Sequence, residues 1–332
     1  MKVWLPAIRA GTGADVFTER LAAGLQAKDI DVTVTWFNHY LELLPYLMKP
    51  VPVPPGTDII HANSWNGFAF GRKGTRLVVT AHLCVFDDIL RPYKSFLQSA
   101  YHELLINRFE SRSFRVADCV TAVSQYTGSR VSELFNTGNV NVIYNGIDTD
   151  FFSPGPSGKD NGHFRLLFVG KPSTRKGFDL LLPIMQCLGN DYELYYTGRS
   201  GKKQSAGKGN MYATGILQKD ELLQAYRNCD ALLFPSRLEG FGYSVCEAMA
   251  CGKPVITSNN SSLSEIVIDG ETGLLCKTGD VDGFCAAARK IAANPEYAAS
   301  MGKAGRQHVL DHFTLEKMID NYIAVYNDLL ND

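Results

Sequence analysis

No apolar run in this 332-residue chain approaches the roughly 18 residues that a membrane span requires. The first residues, MKVWLPAIRAG, lack the apolar centre of a secretory leader. An excess of one charge is missing too: 33 lysines and arginines stand against 34 aspartates and glutamates, a formal charge of −1. Nucleic-acid binders usually carry a basic bias, so no nucleic-acid partner is expected. The eight cysteines (Cys84, Cys119, Cys187, Cys229, Cys246, Cys251, Cys276, Cys285) form no C-x-x-C pair, and no histidine-rich ligand spacing accompanies them. Most lie in apolar contexts such as RNCDALLFP, where a thiol packs as a small core residue. These absences point to a reduced, cytoplasmic protein without structural zinc. Composition is otherwise ordinary for a globular chain, at 45% hydrophobic and 20% charged, and the length suggests about two domains.

What is present is an alternation. Short β-branched or aromatic runs (KVWLPAI, DVTVTWF, DIIHA, RLVVTAH, CVTAV, VNVIYN) are separated by ADVFTERLAAGLQAK, PYKSFLQSAYHELLINRFESRSFRVA and SQYTGSRVSELF, with apolar residues at helical spacing. Residues 151–164, FFSPGPSGKDNGHF, are dense in Pro, Gly, Ser and charge and read as a linker. The alternation then restarts, with RLLFVG, YELYYTG, ALLFPS and PVITS as strands and GFDLLLPIMQCL, KDELLQAYRNC and SVCEAMAC as helices. From Val281 the chain reads as helical to Asp332, broken near Pro295 and near HFT. Such alternation predicts two doubly wound α/β domains with helices on both faces of a parallel sheet. Open sheets of this kind bind ligands beyond the carboxyl ends of their strands, so a cleft between the two domains is the expected site.

Three strand-to-helix loops carry chemistry. RAGTGADV follows the first strand; read as G-x-G-x-x-G it is a dinucleotide fingerprint with Val16 at the third glycine, and Asp29 or Asp31 near the distance of a ribose-binding acid. Gly11 and Gly13 would let backbone N–H groups and a helix N-terminus face an anion, or serve only a tight turn. VGKPSTRKGFD sets Lys171, Arg175 and Lys176 on one loop, a charge that suits a diphosphate, or a solvated loop. EGFGYSVCEAMACGKPV places Glu239 and Glu247 at either end of seven small or apolar residues. Ser244 to Glu247 also reads S-x-x-E, a capping box, which would explain Glu247 but neither Glu239 nor the glycines. Carboxylates only accept hydrogen bonds, and hydroxyl pairs are their natural partners. A sugar diol at one end, a ribose diol at the other and phosphates on amides between them would make a nucleotide-sugar site.

The same stretch resembles the E-x7-E signature of the retaining glycosyltransferases of family 4, which have the GT-B fold: two Rossmann-like domains facing a central cleft. GTGADVFTERLAAGL, DIIHANSW, VVTAH, VTAVSQYT, VIYNGID, FVGKPSTRKG and LSEIVIDGETGLL are similar to the family's motifs and follow in its order. The resemblance implies an acceptor-binding domain over 1–152, a nucleotide-sugar-binding domain over 153–310, and a terminal helix, 311–332, returning to the first. It implies that Glu239 holds donor-sugar hydroxyls, helped by the amides of Gly240, Phe241, Gly242 and Tyr243. Glu247 would bind the ribose diol, the Val245 amide would help with phosphate, and Lys176 with either Lys171 or Arg175 would neutralise the diphosphate. Gly13 would approach phosphate from the other domain, and His82 would lie beside the reacting anomeric carbon.

The chain departs from the family pattern in three places: Lys171 replaces a frequent Arg, Asn63 stands where a second His is common, and SNNSSLSEIV lacks the paired glycines before Glu265. Three D-x-D triplets (Asp29–Asp31, Asp148–Asp150, Asp280–Asp282) read as turn and cap chemistry, so no catalytic metal and no cofactor beyond the nucleotide-sugar co-substrate are expected. ILRPYKSFLQSAYHELLINRFESRSFR interleaves Arg91, Lys94, Arg108, Arg112 and Arg115 with aromatic and apolar residues. Residues 89–115 therefore read either as an ordinary domain helix or as a peripheral contact with an anionic membrane. The expected activity is retaining transfer from a UDP- or GDP-linked sugar to a glycan or lipid-linked acceptor of a surface polysaccharide or lipopolysaccharide, at the inner face of the cell membrane. The competing readings are a NAD-dependent oxidoreductase, resting on the first glycine loop, and a nucleotide-sugar binder without turnover.

Overall fold

The computed structural model describes residues 1–156, 158, 162–198 and 210–331; Ser157, Lys159, Asp160 and Asn161 of the expected linker lie outside the described residues. The chain divides into two units, Met1–Gly146 with Leu315–Asp332, and Ile147–Thr314. The first division thus falls a few residues before the Pro/Gly-rich stretch.

In the first unit, β1 (Lys2–Arg9), β2 (Asp31–Asn38), β3 (Ile59–Asn63), β4 (Arg76–Ala81), β5 (Cys119–Ala122) and β6 (Asn141–Val142) form one parallel sheet in the order β2-β1-β3-β4-β5-β6. Successive side chains of a strand point to opposite faces. Val3 and Leu5 accordingly join Phe17 and Leu21 on one face, whereas Trp4 and Ile8 join Ile60 and Phe70 on the other. The helices are α1 (Gly13–Ala27), α2 (Phe96–Tyr101), α3 (Asn107–Val116) and α4 (Gln125–Phe135). The long stretch read as a single helix around 92–117 is in fact divided. Pro92 lies in a 3-10 turn, Asp88–Tyr93, and a π turn, His102–Ile106, separates α2 from α3. Proline lacks the N–H and clashes with the preceding turn, so an α-helix does not readily extend back through Pro92.

In the second unit, β7 (Phe164–Phe168), β8 (Tyr192–Thr197), β9 (Met211–Gly215), β10 (Ala231–Phe234), β11 (Val255–Ser258) and β12 (Leu274–Cys276) are parallel in the order β12-β11-β10-β7-β8-β9. Its helices are α5 (Phe178–Leu188), α6 (Lys219–Asn228), α7 (Tyr243–Ala250), α8 (Leu263–Ile266), α9 (Val281–Ala292) and α10 (Pro295–His312). The two strands the sequence does not announce, β9 and β12, are the sheet's edges. An edge strand pairs on one side only and needs no continuous apolar run.

Last comes α11 (Leu315–Asn331), which packs on the first unit through Met318, Ile319, Tyr322 and Tyr326. His61 of β3 pins it: the buried imidazole bonds Tyr326 through Nδ1 and Thr80 Oγ1 through Nε2 at 2.6 Å. Burial pushes this histidine down to about 3, so it is neutral near pH 7. All eight cysteines are free thiols.

Candidate functional site

Strand order marks a candidate site in the second sheet. The chain winds from β7 to β8 and β9 on one side, then returns to place β10 on the other side of β7. Loops leaving the carboxyl ends of β7 and β10 diverge there, and that is where open sheets take ligands. The cationic loop follows β7 and the Glu239 loop follows β10. On Glu239, Oε1 lies 2.7 Å from Lys176 Nζ and 3.3 Å from an Arg175 guanidinium nitrogen, and accepts from Ser236 Oγ at 2.6 Å. The other oxygen, Oε2, receives no bond from the described residues. Burial pushes the Glu239 carboxyl up, but Lys176, Arg175 and Ser236 outweigh it and hold it below the usual carboxylate range. Burial likewise holds the Lys176 ammonium below the usual lysine range, against the pull of Glu239.

Several contacts brace the two loops. Arg175 donates to Leu238 O at 2.7 Å, and Arg237 N–H donates to Arg175 O at 2.8 Å. The Arg237 side chain forks onto Asp179 at 2.7 and 2.8 Å. Gly177 sits at φ +71, and a Cβ there would stand 2.0 Å from Pro235 O. Only glycine lets the cationic loop lie this close to β10. Lys171, by contrast, is exposed and makes no ion pair among the described residues.

The glycine-rich turn ends at Gly242, φ +96, which is also the N-cap of α7. Ser244 is therefore inside the helix, and its Oγ donates to Val169 O at 3.0 Å. The capping box expected of Ser244 and Glu247 does not form, because the left-handed glycine starts the helix two residues earlier. Glu247 is buried, with Oε2 accepting from Tyr226 OH at 3.0 Å. Phe241 is buried against Tyr243 and Phe313. The Val245 amide, expected to face phosphate, donates to Gly242 O at 3.0 Å. Where family glycines are missing, Ser261 adopts φ +45. Its Oγ accepts from Glu239 N–H at 3.0 Å, and Ser262 Oγ donates to Glu239 O and Phe241 O at 3.1 and 3.0 Å. Serine hydroxyls thus hold the turn in place, while Glu265 lies half-buried on α8.

In the first unit, His82 follows β4. Its Nε2 lies 2.8 Å from Asn63 Oδ1 and its ring meets Phe17 edge-on at 4.7 Å. Burial pushes it down to about 4, so it is neutral near pH 7. An amide oxygen at Nε2 favours the proton on that nitrogen. Asn63, the departure noted above, is the residue that orients His82. Gly13 is exposed at the first turn of α1. The N–H of Gly11 is already taken: the Asp15 carboxylate accepts from Ala10 and Gly11, at 3.1 and 2.8 Å. Asp31 begins β2 and pairs with Lys2 at 3.4 Å, so it lies at the end of the sheet opposite the glycine loop. A ribose-binding acid would have to lie at the loop's end, which removes the support for the NAD reading. Asp280 caps α9 and Asp148 accepts from Phe151 N–H in a turn.

Residues 55–151 match the family model described as Glycosyltransferase Family 4, and residues 150–308 match Glycosyl transferases group 1. Over 285 residues, 82% of the chain, it is 30% identical to an uncharacterized glycosyltransferase of Methanocaldococcus jannaschii and covers 76% of that protein. The chain is a family 4 glycosyltransferase. Its fold is similar to that of sucrose-phosphate synthase from Thermosynechococcus elongatus, with a TM-score of 0.86 at 21% identity over all of this chain and 99% of that one. It is also similar to Anabaena HepE in complex with UDP and glucose, with a TM-score of 0.76 at 18% identity over 99% of this chain and all of that one. These likenesses establish the GT-B fold.

For this glycosyltransferase, the sequence drew attention to Glu239, Glu247 and the cations but not to Ser236, Ser261, Ser262, Tyr226 or Arg237. These act through other residues. A hydroxyl or ring that matters because a carboxylate lies beside it carries no spacing signal along the chain.

Proposed function

We propose that the chain transfers a sugar, with retention, from a UDP- or GDP-linked donor to a glycan or lipid-linked acceptor, in the synthesis of a surface polysaccharide or a lipopolysaccharide-type glycan. One observation carries this reading: Glu239 is buried at the sheet's switch point with three donors on Oε1 and, among the described residues, none on Oε2. An acceptor oxygen held still, with no partner among the described residues, suits a sugar hydroxyl. The amides of Gly240, Phe241, Gly242 and Tyr243 would support the same sugar. Lys176 and Arg175 would neutralise the diphosphate, with Lys171 at the rim, and the Val245 amide would share its helical bond with a phosphate oxygen. Glu247, steadied by Tyr226, would accept from the ribose diol. Gly13 and His82 would serve from the first unit, His82 beside the anomeric carbon. UDP in the HepE complex supports a uridine donor; the guanosine alternative stays open to the same test.

In this reading the bond from the anomeric carbon to the diphosphate oxygen breaks as the acceptor oxygen bonds on the same face. The acceptor proton passes to the departing diphosphate. The protein positions the reactants and stabilises the leaving charge, with no metal needed. The site of action is the cytoplasmic face of the cell membrane.

Calorimetry with UDP and GDP, then with their sugars, tests the reading alongside a turnover assay. Glu239→Gln should bind the nucleotide diphosphate like wild type but turn over slowly, because its partner is on the sugar. Excess EDTA should leave transfer largely intact. Loss of nucleotide binding in Glu239→Gln, or activity that returns only with added manganese or magnesium, would overturn the assigned roles.

A further inference from the structure

Scattered exposed apolar side chains need no explanation, but a contiguous group does. In the first unit they gather on two segments. Leu43, Leu44 and Leu47 project from the turns after β2, with Leu47 62% exposed. Phe96, Leu97 and Leu104 project from α2 and the π turn, with Phe96 86% and Leu97 79% exposed. Tyr46 joins the segments, its ring edge-on to Phe109 of α3 at 5.9 Å and beneath the Arg112 guanidinium at 5.5 Å. The π turn contributes directly. Its wider winding turns Leu104 and Leu105 outward while His102 and Ile106 stay buried, and such insertions recur at functional places in helices.

Charge accompanies the apolar group. Arg108, Arg112 and Arg115 are exposed and follow Leu104 at steps of four, four and three residues, which puts them on one helical face. Lys49 Nζ also lies over the Tyr46 ring, at 5.4 Å. The exposed acid on the same segments is Glu103, with Asp88 exposed on the 3-10 turn that precedes them. An apolar tip continued by a row of arginines fits an interface whose interior is hydrocarbon and whose surface is phosphate. Among the described residues no helix is long and apolar enough to cross a membrane, so the fit is to lying on a bilayer.

We propose that the Leu43–Leu47 turns and the Phe96–Arg115 helical segment together form a docking face for an anionic lipid bilayer. This rests on the reading above in one respect, that a lipid-linked acceptor would be met at that surface. It brings in the 43–47 turns, which sequence alone did not join to 89–115.

The test is co-sedimentation of the full chain with vesicles of phosphatidylcholine alone and of phosphatidylcholine mixed with phosphatidylglycerol. Binding should favour the mixed vesicles and weaken as salt is raised. The double variant Arg108→Ala/Arg112→Ala should lose about fivefold in partitioning per arginine on mixed vesicles. Leu47→Ser/Leu97→Ser/Leu104→Ser should lose binding at all salt concentrations. Thermal unfolding and UDP or GDP calorimetry on the same samples separate this result from the fate of the donor site. Equal binding of wild type and both variants, or no preference for phosphatidylglycerol, would overturn the proposal. So would concentration-dependent self-association that the leucine variant abolishes while vesicle binding stays absent, since the face would then serve a second copy of the chain.

Discussion

Lys176 Nζ and Arg175 meet on a single oxygen of Glu239, at 2.7 and 3.3 Å, where Glu239 and Lys176 are shielded from water and Arg175 is partly exposed. In low dielectric, removing one partner leaves the rest of such a cluster poorly compensated. The loop that carries both cations is therefore also what keeps Glu239 ionised.

Lys176→Met should weaken UDP or GDP binding by roughly 1.5–3 kcal/mol, the range for a hydrogen bond to a charged group. Arg175→Ala should cost more than Lys171→Ala, because Arg175 is already at Glu239 whereas Lys171 is exposed and unpaired among the described residues. Titration calorimetry on the three variants gives the order. A larger loss for Lys171 would show that the cations rearrange completely when the diphosphate arrives.

Glu247→Gln should lower nucleotide affinity by roughly 1–3 kcal/mol, since one acceptor oxygen becomes a donor in a buried place. The capping explanation for this residue is gone, because Gly242 starts α7. Tyr226→Phe removes the hydroxyl that reaches Glu247 Oε2 and should cost less, about 1 kcal/mol. Unchanged affinity in both variants would confine Glu247 to a structural role.

Gly177→Ala should destabilise the chain by about 2–4 kcal/mol, from a left-handed backbone and an unavoidable approach to Pro235 O. Urea unfolding measures this. Nucleotide affinity should fall in the same variant, because the shift moves Lys176 away from β10.

Glu110 governs a pH effect in the first unit. It is buried, accepts from Ser64 Oγ at 2.6 Å, and burial raises its carboxyl from 4.5 to about 8. Between those values the folded chain keeps a proton that the unfolded chain releases, so its contribution to stability falls as pH rises through that window. Glu110→Gln mimics the protonated form and should remove that decline, a difference of a few kcal/mol between pH 5 and 8. His61 and His82, held down to about 3 and about 4, work the other way, losing stability as pH falls below their ordinary 6.5. They are common to both proteins, so the difference between the two urea series isolates Glu110. Parallel curves would show that Glu110 is ionised in the folded state.

The parallel α/β architecture and the loops of the candidate site were legible in the chain itself. Parallel strands covered on both faces must be apolar along their length, as VWLPAI of β1 and ALLF of β10 are, and glycine is favoured where backbone turns left-handed, as at Gly177 and Gly242. Glu239, Glu247 and the cationic loop declared themselves by residue type in short stretches. Which cation Glu239 holds did not, because Arg175 and Glu239 are 64 residues apart and strand order alone makes β7 and β10 neighbours. Folding also decided that Asp31 lies at the wrong end of its strand for a ribose, that Gly242 displaces Ser244 as the helix cap, that Ser236 and Tyr226 support the two carboxylates, and that Ser261 holds the Glu239 backbone. Local periodicity records which face of an element is buried. It carries no record of which side chain on a distant loop will be within hydrogen-bond reach, and that was left to the tertiary structure.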